Sequence, residues 1–213
     1  MAYRIRTDIS LARSLVVVVA AALVISACAT TAPKQRPQAQ IQVQEQVGFT
    51  IIEEGQVDNA VRAEYNSSLL LLQQGSLDRG ATLLEDVAAA TPELSAPRID
   101  LGIAYHRVGN LEAAEDNLLL ALEANPNQPA ALNELGIVYR KMGRFQDART
   151  SYEAALAVFP GYHYARRNLA VLCDLYLADL QCALDNYEAY MATVRDDQEA
   201  EMWITDIRRR LGQ

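Results

Sequence analysis

The stretch that decides the fold is 95–128, SAPRIDLGIAYHRVGNLEAAEDNLLLALEANPNQ, followed at once by 129–162, PAALNELGIVYRKMGRFQDARTSYEAALAVFPGY. Laid one under the other, they align without a gap. Leu101-Gly102, Tyr105, Gly109, Ala114, Leu118, Ala121 and Pro126 stand over Leu135-Gly136, Tyr139, Gly143, Ala148, Tyr152, Ala155 and Pro160. Every pair is separated by the same interval. A leucine and a tyrosine four apart make an apolar stripe on a helix. Gly109 and Gly143 suit a left-handed helix terminus. Pro126 and Pro160 end a second helix, because proline lacks a donor and restricts the residue before it. The expected unit is therefore two antiparallel helices, with Gly102 and Gly136 lacking a side chain so that the second helix can approach at Ala114 and Ala148.

The period extends in both directions. Residues 61–94 keep Gly75 and Pro92, with Ser67-Ser68 in place of Leu-Gly and Gly80 at the small position. Residues 163–196 keep Leu169-Ala170, Ala183 and Tyr187, but their second half lags by one residue, which implies an insertion at Leu177–Leu180. The pattern over 61–196 resembles the tetratricopeptide repeat, whose period is about 34 residues. The fold that follows is all-α: a right-handed solenoid of about four helix-turn-helix units stacked on their neighbours. Asp197 is a suitable N-cap. Ala200, Trp203, Ile204, Ile207 and Leu211 lie on one helical face, so 197–213 reads as a capping helix with Trp203 turned to the core.

The N-terminus has a different character. Arg4, Arg6 and Arg13 precede an unbroken apolar run, Leu15–Ile25. That is too short to cross a bilayer, which takes ~20 residues, and it has the length of a signal-peptide core. Ile25-Ser26-Ala27-Cys28 follows. This resembles the lipobox of bacterial lipoproteins, which implies that 1–27 are removed and that Cys28 carries the lipid. Two or three acyl chains hold a protein at a membrane where one does not. Ala29, in place of aspartate, implies by the same resemblance the outer membrane of a Gram-negative cell, on its periplasmic face, or otherwise the outer face of the cell membrane. Losing Arg4, Arg6, Arg13 and Asp8 would take the formal charge from −8 to −10, three positive charges and one negative being removed. An acidic chain is a poor binder of nucleic acid.

Residues 28–60 hold Pro33, Pro37 and six glutamines between 35 and 46. Such a segment buries too little apolar surface to offset its ordering entropy, and it reads as a tether. Phe49, Ile51 and Ile52 break its polarity and could dock on the folded part or on a partner.

Two cysteines remain, Cys173 in the first helix of the last unit and Cys182 early in its second. A tight antiparallel pair brings such positions together, and an exported protein meets an oxidising compartment, so a disulfide is one reading. Two buried free thiols are the other. His106 and His163 are the only histidines, and neither has metal-ligand spacing to Cys, His, Asp or Glu. The chain carries no nucleophile elbow, phosphate loop or dinucleotide turn. No enzyme activity, metal or cofactor is expected.

The family resemblance implies a concave groove lined by the first helix of each unit. Carried onto this register, the inward positions are Tyr65 and Leu69; Ile99, Ile103, His106 and Arg107; Asn133, Ile137, Arg140 and Lys141; and Tyr164, Arg167 and Val171. The second helices are acidic, with Glu112, Glu115, Asp116 and Glu123 in one unit. A basic and apolar groove suits an extended peptide carrying carboxylates; alternatively Arg107, Arg140 and Arg167 pair locally with acids. The expected role is a membrane-anchored scaffold that binds protein segments in the periplasm. Lipoproteins of similar build serve pilus assembly, peptidoglycan enzymes and proton-driven envelope machines, the last group being the nearest in pattern. A structural spacer or self-assembling oligomer is the alternative.

Overall fold

The computed structural model describes residues 39–44, 48–53 and 57–213. Cys28 and the rest of 1–38 lie outside them. Among the described residues, nine helices follow one another, four antiparallel pairs and a single last helix: α1 Asn59–Gln73, α2 Leu77–Ala90, α3 Ala96–Val108, α4 Leu111–Ala124, α5 Pro129–Lys141, α6 Phe145–Val158, α7 His163–Leu175, α8 Leu180–Thr193 and α9 Gln198–Leu211. None of them is long and apolar enough to cross a membrane.

The repeat register is visible in the core. Leu84, Leu118, Tyr152 and Tyr187 occupy corresponding places on the second helices, and each is fully buried. Ala114, Ala148 and Ala183 form a parallel series with no exposed surface. The close approach at Gly102 and Gly136 is real, but its partners differ from those expected. A Cβ on Gly102 would lie 2.6 Å from Leu118 Cγ, and one on Gly136 would lie 2.5 Å from Tyr152 Cε1. The large residues one turn beyond Ala114 and Ala148 are laid over the glycines, so the missing side chain makes room for a leucine and a tyrosine.

Helix ends follow the sequence signals. Gly109 and Gly143 have φ of 83° and 77°, and the next amides reach back to the helix, Asn110 N–H to Tyr105 O at 2.9 Å and Arg144 N–H to Tyr139 O at 2.9 Å. Asp197 caps α9, its Oδ1 accepting from Ala200 N–H at 3.1 Å. Three residues separate α5 from α6, and four separate α7 from α8. In that longer turn the left-handed residue is Ala178, at φ 53°. A Cβ in this region costs ~1–2 kcal/mol, partly offset by glycine's greater freedom in the unfolded chain. Ala178→Gly is therefore expected to stabilise the protein by about 0.5–1 kcal/mol, read from the denaturation midpoint.

Composition argues for a tether throughout 28–60, and here the structure differs. Ala39–Gln44 (β1) pairs antiparallel with Gly48–Glu53 (β2), Ile41 opposite Ile51. An isolated two-stranded sheet is marginal in water; this one is held by what β2 touches on the helices. The helical part also begins at Asn59, slightly ahead of the boundary at 61 drawn from the repeat period.

Candidate functional site

The first helices of successive units, α1, α3, α5 and α7, carry the inward positions, and these divide into three groups. The first is open. Arg107 and Lys141 are exposed and make no ion pair among the described residues. Tyr164 is 57% exposed, which makes it the most accessible aromatic of the row. Ile103 and Ile137 are half-buried, as is Val171, and lean on the core.

The second group is engaged. Arg167 pairs with Glu199 of α9 at 3.4 Å and lies 5.1 Å above the Trp203 ring. Arg140 donates to Tyr176 Oη at 3.4 Å and lies 5.7 Å from that ring's centre. His106 is half-buried, and burial, with Lys141 and Arg140 beside it, holds its pKa below the ordinary imidazole value.

The third group is withdrawn. Ile99 and Asn133 are buried, so they do not offer a contact surface. Asn133 is fixed on both sides: its amide donates to Glu134 Oε1 at 3.1 Å, and its carbonyl accepts from Asn168 Nδ2 at 2.9 Å. Similarly, Tyr65 Oη donates to Asp100 Oδ2 at 2.6 Å.

Asp100, Glu134 and Asn168 share the repeat spacing and stand one residue beyond Ile99, Asn133 and Arg167. None of the three is among the groove positions carried over from the family, although the same subtraction finds them. They add two half-buried carboxylates to the first helices, at positions the expected basic and apolar set did not include. Burial raises the pKa of both acids; Tyr65 pulls Asp100 the other way, and Asn133 does so for Glu134, without reversing the shift. An acid whose folded pKa is raised contributes stability below its unfolded pKa, and that contribution is lost as pH rises through the folded value. Asp100→Asn and Glu134→Gln are thus expected to raise the melting temperature at pH 7. Near pH 4 the gain should shrink, because the parent acids are then increasingly protonated. Paired thermal melts at the two pH values check this.

Cys173 and Cys182 face each other across the α7–α8 turn, with Sγ atoms 2.07 Å apart and Cα atoms 5.9 Å apart. Asp179 lies close by, but it already caps α8 through Cys182 N–H at 3.1 Å and pairs with Arg149 at 3.2 Å. Sulfurs bonded to each other are not thiolate ligands, so this trio is a structural clasp.

The comparisons agree with this geometry. Two family models described as tetratricopeptide repeat match residues 65–129 and 129–162. Among solved structures, MamA from Desulfovibrio magneticus RS-1 is 19% identical with a TM-score of 0.64, over 74% of this chain and 88% of that one. PilF of Pseudomonas aeruginosa is 17% identical with a TM-score of 0.66, over 72% and 69%. The first tetratricopeptide-repeat domain of RPAP3, solved with an HSP90 peptide, is 20% identical with a TM-score of 0.53, over 56% and 94%. No curated protein matches the sequence significantly.

Proposed function

From an all-α tetratricopeptide-repeat solenoid as premise, we propose that this chain is a lipid-anchored adaptor of the cell envelope that holds an extended segment of a partner protein along its first helices. The observation that carries the reading is the accessible part of the groove. Arg107 and Lys141 are solvent-exposed cations beside the half-buried Ile103 and Ile137. Lysine and arginine next to aliphatic side chains suit a peptide bearing carboxylates, with charge guiding the encounter and apolar contact holding it. The RPAP3 domain, solved with the peptide SRMEEVD, shows that a fold of this kind can take an acidic segment.

The anchor rests on Ile25-Ser26-Ala27-Cys28 after its short apolar run. A cystine at 173–182 is in keeping with export, since disulfides persist in oxidising compartments. Two measurements test the proposal. Labelled palmitate should enter the parent chain, and Cys28→Ser should abolish the label and release the protein from the membrane fraction. A photoreactive residue at Lys141 should give a discrete adduct in the native host, absent from a control at Asp116 on the outer face. Self-adducts alone, or none, would reject the adaptor in favour of a spacer or oligomer.

A further inference from the structure

β2 lies on the rim of the solenoid like a bound peptide. The Glu53 carboxylate is fully engaged. Its Oε2 accepts from Ser95 N–H at 2.8 Å and Ala96 N–H at 3.2 Å, and its Oε1 accepts from Ser95 Oγ at 2.7 Å and Asn125 Nδ2 at 2.9 Å. Ser95 is the N-cap residue of α3, and its own side chain makes no capping bond, so a carboxylate from elsewhere takes that role where the helix dipole favours it. Four residues earlier, the Phe49 ring sits edge-on among Phe159 at 5.0 Å, Tyr162 at 5.2 Å, His163 at 5.5 Å and Tyr164 at 6.2 Å. Residues four apart on a strand share a face. One strand thus reaches three successive inter-unit loops, α2–α3, α4–α5 and α6–α7.

We infer that residues 49–53 are an internal stand-in for a partner's strand, and that the rim is a second docking surface for an extended peptide with an aromatic residue followed, four positions on, by a carboxylate. The inference rests on the adaptor reading and adds to it the partner's chemistry and a means of control. The seat is made by helix-terminal amides, Asn125 and a ring cluster on the rigid solenoid, whereas its occupant is a two-stranded sheet. The hairpin has no third strand among the described residues, and Gln40 and Gln42 of β1 face solvent. An occupant on the same chain acts at an effective concentration of about mM, so a partner strand must either bind more tightly or find the hairpin withdrawn.

The experiment uses the full chain in detergent and a fluorescent peptide of residues 39–53, AQIQVQEQVGFTIIE. The peptide should bind saturably to the double variant Phe49→Ala/Glu53→Ala and at least ~10-fold more weakly to the parent, whose seat is filled. Alanine at the two anchor positions of the peptide should abolish binding, and Asn125→Ala in the variant should weaken it. Equal binding to parent and variant, or to neither, would overturn the inference. If the double variant does not fold, hydrogen exchange on the parent decides instead. Amides 48–53 should exchange far faster than those of α5, and equal protection would overturn the exchangeable seat. A partner adduct at Lys141 without peptide binding defeats this inference alone. Peptide binding without any adduct defeats the adaptor reading instead.

Discussion

Tyr152→Ala is expected to cost about 3–5 kcal/mol, the range for removing a large aromatic side chain from a core. The ring is fully buried and lies on the backbone of Gly136, so close that a Cβ there would meet three of its atoms within 2.9 Å. Helices α5 and α6 pack on this ring. Alanine would leave a void that the rigid glycine backbone cannot fill, and little relaxation is available to reduce the loss. The position in the solenoid adds a second consequence. In a repeat protein each unit is stabilised by its neighbours, so weakening a central unit divides the array. Thermal unfolding of the variant should broaden or separate into two steps, where the parent shows fewer. Tyr152→Phe is the control. Tyr152 Oη is buried without a hydrogen-bond partner, and burial pushes its pKa up to about 12 against the pull of the nearby Arg140. Removing a hydroxyl held by no more than a poorly formed contact with Arg140 should change stability by less than about 1 kcal/mol. A phenylalanine variant as unstable as the alanine variant would show that the hydroxyl, and not the ring, holds the seam.

The reason Tyr152 can be found from sequence, and Glu53 cannot, is physical. Every feature that repeats is enforced by local geometry: helix length, the left-handed glycine, the proline after the second helix. Subtraction by the repeat interval therefore locates α3 to α7, and the one-residue lag locates the longer α7–α8 turn in which Ala178 takes the left-handed place. Asp197 and the apolar face behind it announce α9 in the same way. The partner of Gly136 is harder, because which residue of α6 overlies it depends on how two helices cross. The Asp100–Glu134–Asn168 row is available from the period, but polar residues carry no hydrophobic signal to draw attention to a half-buried row. The hairpin obeys no local rule. Its glutamines, and the prolines just before it, read as tether, and the order of 48–53 comes from contacts with Ser95, Asn125 and Phe159, all distant along the chain. Only Phe49, Ile51 and Ile52 hint at it, and nothing in the sequence names their partners.

Reducing the Cys173–Cys182 bond is expected to cost about 2–3 kcal/mol in the chain-entropy view, given the short loop it closes. The separation is nine residues, and the loop contains the longer α7–α8 turn and Ala178. The loss should not spread evenly. Helices α7 to α9 form the end of the array and have stacked neighbours on one side only, so they open locally before the centre does. Amides of α8 should then exchange roughly 30–150-fold faster in the reduced chain, since every 1.4 kcal/mol is a factor of ten, while those of α5 change much less. Alanine is the better replacement for Cys173, which has no exposed surface, because serine would bury a hydroxyl. Equal exchange in oxidised and reduced chains, or a non-reduced mass heavier by two hydrogens, would remove the clasp from the account. The clasp also links stability to location. A chain kept in a reducing compartment would lack it and have a loosened C-terminal unit, whereas an exported chain would gain it on arrival. Arg167, which is held by Glu199 and Trp203 of α9, is expected to loosen when these terminal helices open. Reduction is therefore expected to add Arg167 to the cations Arg107 and Lys141 that are already exposed in the groove.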